Sequence, residues 1–523
     1  MSCKHFYGIV LLIWMLLNVV QSTHFRGSMI SWRVINSTSS SVTLQILQRH
    51  AWRYTYFTPL CTDATISNNQ PILGQSGHDI VCVSNCPTGL STLGSVRVPC
   101  TGYNIGEQYA MGERRFNIQI PQNVSFLAAF TAAAWFLLVT GNNLPWSVAV
   151  QIQTFKRIDT GRYNNAPVIT MLPVYRLRNR ISYSIKINVA DNDFDPYICL
   201  WSQGPLQCGG LSNSVPGGTV DNYACYLYFT PNITGYYAAA LTVEDFVILP
   251  TNIAATDYLS QVPIQFIFHV YDSSYPCFTG PIYVGDLVPD ICLYISVGST
   301  STTRVRFRVQ CPNATVDSII SVNPAGLLTT PLLQDSFDPD IYAFIANFTA
   351  SLDQIGQNLF CFAAVDSLGN QGDSACLRFT VSTATSSLQP LYLWNAVRFP
   401  MGTVSKTTSL WTIFTGGRLY VRPTTETYIR FKQISDDVDY YVINVATSTD
   451  RVVFYSDRVE INSSVVWTPG QSFYIYFDPG VFVAASTCTK DSMPIADPTF
   501  WPFNIPDEST TTETSTHIHL RLE

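Results

Sequence analysis

Along most of this chain the apolar residues return at every second position. Residues 41–47 (SVTLQIL), 115–120 (RFNIQI), 147–153 (SVAVQIQ) and 181–189 (ISYSIKINV) alternate in this way, as do 305–309 (VRFRV), 377–381 (LRFTV) and 473–477 (FYIYF). Successive side chains of a β-strand point to opposite faces, so a period of two sets one face on a core and the other in water. No segment carries a long, capped 3.6-residue repeat. The pattern predicts an all-β protein of tandem immunoglobulin-like or cadherin-like β-sandwich domains. Aromatic residues make up 13% of the chain, and its 29 Gly and 30 Pro supply the turns such strands need.

Polar, proline-bearing seams at 164–168 (NNAPV), 273–277 (SSYPC) and 386–390 (SSLQP) divide the sequence. They predict an N-terminal β-rich domain over 23–164 and immunoglobulin/cadherin-like sandwiches over 165–275 and 276–387. An immunoglobulin-like sandwich over 388–505 and a disordered Ser/Thr-rich tail over 506–523 follow. The second and third domains read as copies. Gly235 and Asp245 fall on Gly356 and Asp366 at one offset, 356 − 235 = 366 − 245 = 121, and a further strand follows each pair. A glycine, an apolar strand, an aspartate in a turn and a last strand is how the end of such a sandwich is written.

Residues 1–22 read as a secretory signal peptide, with Lys4 as its basic start, an apolar run over 9–17 and cleavage before Thr23. The apolar stretch 126–139 has 14 residues, short of the ~20 a spanning helix needs, and reads as a buried strand pair. No apolar run closes the chain. The expected location is therefore secreted and extracellular, without a membrane span. The cysteines fit an oxidising compartment: Cys61, Cys82, Cys86, Cys100, Cys199, Cys225, Cys277, Cys292, Cys311, Cys361 and Cys376 are disulfide candidates, with Cys199–Cys225 as an internal bridge. Cys208 and Cys488 bring the total without Cys3 to 14 − 1 = 13, an odd number that leaves a thiol free or available for a disulfide-linked dimer. Asn36, Asn123, Asn232, Asn313, Asn347 and Asn462 are N-glycosylation sequons.

A formal charge of −7 argues against nucleic-acid binding, which needs a basic surface. Ser76, His78 and Asp79 are residue types of a hydrolytic triad, but they lie too close in sequence to converge on one substrate atom. The expectation is no enzyme. Asp191, Asp193 and Asp195 place carboxylates at alternate positions, which suits calcium, a cation taking several hard oxygens from one loop. Glu244 and Asp245 could complete that site, whereas Asp335/Asp338/Asp340 and Asp436/Asp437/Asp439 are looser versions and His517/His519 a weak metal pair. Calcium is thus the one cofactor considered. Aromatic pairs such as Tyr440–Tyr441 raise sugar stacking.

The start of the mature chain, 23–33 (THFRGSMISWR), resembles the T-H-F-R-G-G-x-x-x-W opening of a family of secreted, multi-domain invertebrate proteins, with Ser28 where the family often has Gly. Stretches 112–114 (GER), 157–162 (RIDTGR), 191–195 (DNDFD), 243–246 (VEDF), 262–266 (VPIQF) and 499–503 (TFWPF) resemble the same family. That resemblance implies tandem immunoglobulin- or cadherin-like sandwiches on extracellular proteins, with no established activity or site residues. The expected function is a secreted structural or adhesion-type protein that contacts cell-surface proteins or glycans through loops and sheet edges. A secreted carbohydrate- or ligand-binding protein is the alternative.

Overall fold

The computed structural model describes residues 24–383, 396–415, 420–455, 458–484, 492 and 494–507. Residues 1–23, read above as a leader with its cleavage site, and Cys488, His517, His519 and most of the closing Ser/Thr-rich stretch lie outside them. Among the described residues strands dominate, and helix is confined to two five-residue segments, Asp63–Ser67 and Gly204–Cys208, and a single turn, Leu352–Gln354. The chain is all-β and built of sandwich modules. It divides into two compact units, one of residues 1–157 and 161–386, the other of 387–523 together with 158–160.

The repeat seen in the sequence is a structural repeat. Strands Gly235–Asp245 and Gly356–Asp366 each have 11 residues, and each pairs antiparallel with the strand that follows, Ser260–Tyr271 or Ala375–Ser382. Each module also has, near its start, a short strand lying parallel to its last one: Val174–Arg178 on Ser260–Tyr271, and Cys292–Ser296 on Ala375–Ser382. The fourth module repeats the device with Gly402–Thr403 parallel to Pro502–Asn504. A parallel pair between an early strand and the last one, in an otherwise antiparallel sandwich, separates these modules from simple meanders.

The first three modules are fused rather than strung in a row. Strand Ser260–Tyr271 pairs along one edge with Gly235–Asp245. Along its other edge it meets Trp146–Gln153 at Gln261 and Phe25–Ser37 at Ile264 and Gln265, before reaching Val174–Arg178. The first module therefore closes around the last strand of the second, and one 13-stranded sheet runs through both. Gly27 permits this. Its φ is +141°, and a Cβ there would sit 2.2 Å from the Gln265 carbonyl oxygen, so the glycine of the opening motif is fixed by close strand approach.

The third module packs one sheet on that body. Phe360, Phe362 and Ala364 point into its own core, whereas Leu359, Cys361, Ala363 and Val365 join the core of the first two modules. A sheet covered on both faces loses the polar half of the alternation, which is why 359–365 reads as an unbroken apolar run. Residues 126–139 are not the strand pair expected from their hydropathy. They form one strand, Ser125–Ala132, followed by irregular chain in which Trp135 is buried and Leu137 is 68% exposed.

In the second unit Trp411, Trp467 and Trp501 lie at the centre of a separate core with Phe431, Phe473 and Phe503. Each indole N–H has a partner: Ser463 Oγ at 3.1 Å, the Thr408 carbonyl at 2.7 Å and the Pro400 carbonyl at 2.8 Å. Trp501 and Phe503 come from the closing TFWPF stretch, which is thus a core motif.

Candidate functional site: an arginine-clamped acidic joint

Where the first module hands over to the second, four carboxylates meet one guanidinium. The turn 191–195 joins strands Asn188–Ala190 and Tyr197–Trp201. Asp191 Oδ1 accepts the backbone N–H groups of Asp193 at 2.8 Å and Asp195 at 3.0 Å, an Asx-type turn that lets the short side chain stand in for backbone. Phe194 takes the left-handed conformation, φ +59°, and Pro196 stands at the sixth position, where a standard calcium loop has glycine. Asp195 receives Arg157 in a two-pronged pair, Nη2 to Oδ1 at 2.8 Å and Nη1 to Oδ2. Arg157 Nη1 also donates to Asn164 Oδ1 at 3.2 Å. Asp245, at the end of its strand, accepts from Ser260 Oγ at 2.6 Å and Asn164 Nδ2 at 2.7 Å.

The three expected ligands do not stay together. Asp191 and Asp195 converge with Asp245, whereas Asp193 turns to Asn165, accepting from its backbone N–H at 2.6 Å and its amide at 2.8 Å. Period-two alternation separates Glu244 from Asp245, and Glu244 pairs with Gln261 at 2.5 Å. Burial, then the charges of Asp195, Asp245 and Asp193, raise the Asp191 carboxyl well above its ordinary range. Burial and then Asp195 push Asp245 up to about 7. The looser clusters do not converge: Asp335 and Asp338 pair with Arg304 and Arg308, and Asp439 and Asp437 with Arg430 and Lys432.

Two further polar clusters lie at the joints. Glu113, fully buried, accepts Arg49 Nε at 2.6 Å and Arg115 Nη1, and takes the Ala325 backbone N–H of the third module at 3.3 Å. Arg115 Nη2 continues to Asn358 Oδ1 at 2.7 Å. Glu107 of the first module holds Arg176 Nη1 and, at 2.9 Å, His269 Nδ1 of the second, and Arg176 Nε reaches the Gly369 carbonyl of the third at 3.1 Å. The stretches GER, RIDTGR, DNDFD, VEDF and VPIQF, scattered through the sequence, thus come together at the seams between modules. Sequence spacing held no signal for that convergence.

A serine–histidine pair does exist, but not the expected one. Among the described residues no bond joins Ser76, His78 and Asp79. Instead Gln48 Nε2 donates to the Ser95 carbonyl at 2.8 Å, leaving Gln48 Oε1 to accept His50 Nε2–H at 2.8 Å. His50 Nδ1 is then the acceptor for Ser28 O–H at 2.7 Å. A neutral amide stands where a triad has its carboxylate, and burial lowers His50 to about 3, so it cannot act as a base near neutrality. Ser28, Gln48 and His50 are all buried. The pair is structural and has a measurable consequence. Between about pH 6.5 and about pH 3 the unfolded chain binds a proton that the folded chain refuses, so stability falls as pH falls. At roughly pH 5 the loss is about 2 kcal/mol for this one residue. Denaturant midpoints measured across this range should decline less steeply for His50→Gln than for the parent, and equal slopes would remove the assignment.

Disulfides join Cys61–Cys100, Cys82–Cys86, Cys199–Cys225, Cys277–Cys311 and Cys361–Cys376, and Cys292 is also disulfide-bonded. The free cysteine among the described residues, Cys208, is buried beside the Gly204 carbonyl and Ser212. Its burial gives no support to a disulfide-linked dimer through this thiol. Asn36, Asn123, Asn232, Asn313 and Asn462 are exposed, and Asn347 is half-buried with its amide oxygen accepting Thr302 Oγ1. Tyr440 stacks on Trp467, with centroids 5.6 Å apart, and Tyr441 takes a hydrogen bond from Arg451, so these two rings do not form a shared stacking platform.

Residues 26–154 match the family model of the N-terminal region of integrin beta-like proteins A–E. The match covers the first module and stops just before Arg157. No curated protein matches the chain. Solved structures with partial likeness include the four N-terminal immunoglobulin domains of Dscam1, at 10% identity over 66% of this chain and 78% of that one, TM-score 0.16. Two others are the fibronectin(III)-like modules of Clostridium thermocellum CbhA (10%, 43% and 99%, 0.15) and Bacteroides ovatus SGBP-B bound to a mixed-linkage heptasaccharide (11%, 66% and 71%, 0.15). These overlays are too loose to carry any argument about function.

Proposed function

We propose that this is an extracellular adhesion-type protein whose first three modules act as one stiff body, presenting loops and sheet edges to cell-surface partners. The observation that supports this most is how its reactive side chains are used. Glu113, Arg49, Arg115, Glu107, Arg176, Asp195 and Arg157 hold modules to one another, and the Ser28–His50 pair is sealed in a core. Polar groups buried in this way specify geometry rather than turn over a substrate. The disulfides, the exposed sequons and the match to an integrin beta-like N-terminal region fit an extracellular setting. No helix among the described residues is long and apolar enough to cross a membrane.

The full chain expressed in eukaryotic cells should appear in the medium, lose mass on treatment with an N-glycosidase, and bind to cells or to itself. Ser28→Ala should bind as the parent does. Retention in the cytosol as a reduced, unglycosylated chain would sink the reading. So would labelling of Ser28 by an active-site probe.

A further inference from the structure

The acidic joint gathers four carboxyl groups beside Arg157. Asp191, Asp193, Asp195 and Asp245 are four carboxylates, and Arg157 pairs directly with Asp195. Hydrogen bonds account for both oxygens of Asp245, while Oδ1 of Asp191 is taken by two backbone amides. Asp191 Oδ2 is left over. The residue is only 5% exposed, and this oxygen has no hydrogen-bond partner. A buried carboxyl oxygen without a partner is costly, and a bound cation would satisfy it.

The geometry identifies what kind. Asp191, Asp195 and Asp245 each offer a carboxylate oxygen within 4.8 Å of the other two. An ion that binds oxygens at about 2.3–2.6 Å spans oxygens up to roughly 5 Å apart, so one such ion touches all three. Calcium, which takes about six to eight hard oxygens in flexible geometry, suits carboxylates supplied by a turn and a strand end; magnesium demands a tighter octahedron at about 2.0–2.1 Å.

We infer that Asp191, Asp195 and Asp245 form a calcium site in the second module at its joint with the first, with Arg157 shared on Asp195 and Asp193 serving as turn scaffold rather than ligand. The site adds an ionic control to the joint, and its test needs no binding partner, so it can fail without touching the adhesion reading.

The experiment uses the full chain freed of metal with a chelator, then titrated with calcium chloride by calorimetry and by thermal melting. The parent should bind one calcium in the micromolar-to-millimolar range with a rise in Tm of several degrees at saturation. Asp191→Asn retains the oxygen that accepts the turn amides but removes the carboxylate. It should no longer respond to calcium. Asp193→Asn should still respond. Absence of heat and of any Tm shift in the parent overturns the inference, as does a calcium response preserved in Asp191→Asn. If Asp191→Asn does not fold, Asp245→Asn carries the same test.

Discussion

Glu113→Ala should destabilise the first compact unit by about 3–5 kcal/mol, because it strands two guanidiniums inside the protein. Arg49 and Arg115 are 4% and 6% exposed, and Glu113 touches both. Burial lowers the affinity of Arg49 for its proton, and the Glu113 carboxylate beside it works the other way. Burial alone would raise the Glu113 carboxyl, yet Arg115 and Arg49 bring it below its ordinary range. Removing Glu113 also breaks its bond to the Ala325 backbone N–H and frees Arg115, which holds Asn358. The variant should therefore loosen the third module as well. Denaturant titration gives the loss, and amide exchange on the strand Gly356–Asp366 reports the loosening. A change below about 1 kcal/mol would mean that water replaces the carboxylate, and that Glu113 does not organise the joint.

Trp411→Ala should cost the second unit about 3–5 kcal/mol. The Trp411 ring is fully buried and meets Phe503 at 4.3 Å, Phe431 at 5.6 Å, Trp467 at 5.8 Å and Trp501 at 6.2 Å between centroids. Removing it opens a cavity at the centre of four aromatic neighbours and leaves Ser463 Oγ without the indole N–H. Because the cores of the two units are separate clusters, the melting transition of the first unit should keep its midpoint. A downward shift of both transitions by the same amount would show that the two cores unfold together.

Strand content and module style were legible in the sequence because they depend on local rules. Alternation in 305–309 and 377–381 puts Val305, Phe307, Leu377, Phe379 and Val381 in one core. The spacing of Gly235/Asp245 and Gly356/Asp366 matches two 11-residue strands residue for residue. Cys199 and Cys225 pair, at a separation short enough for a sequence reading to single out. Local rules failed at 126–139, where hydropathy cannot distinguish a strand pair from one strand followed by buried irregular chain. The odd cysteine count predicts an unpaired thiol, and Cys208 is one; its burial depends on the neighbours around a five-residue helix.

The candidate site shows the same division more sharply. That 191–195 is an acidic turn follows from its residues. Asp245 was legible too, as a group able to complete that site; that Asp193 leaves the cluster was not, since it depends on where Asn165 stands. Ser28, Gln48 and His50 form a bonded chain across two strands that no linear motif announces. The amino-acid order by itself determined that this chain makes two-faced strands and sandwich modules, because side-chain direction alternates with each residue. Only the tertiary structure decided that the first two modules fuse through one shared strand, that the third packs a sheet on them, and that distant charges meet in buried joints. Burial is what makes those charges matter, and burial belongs to the assembled sheets rather than to any single segment.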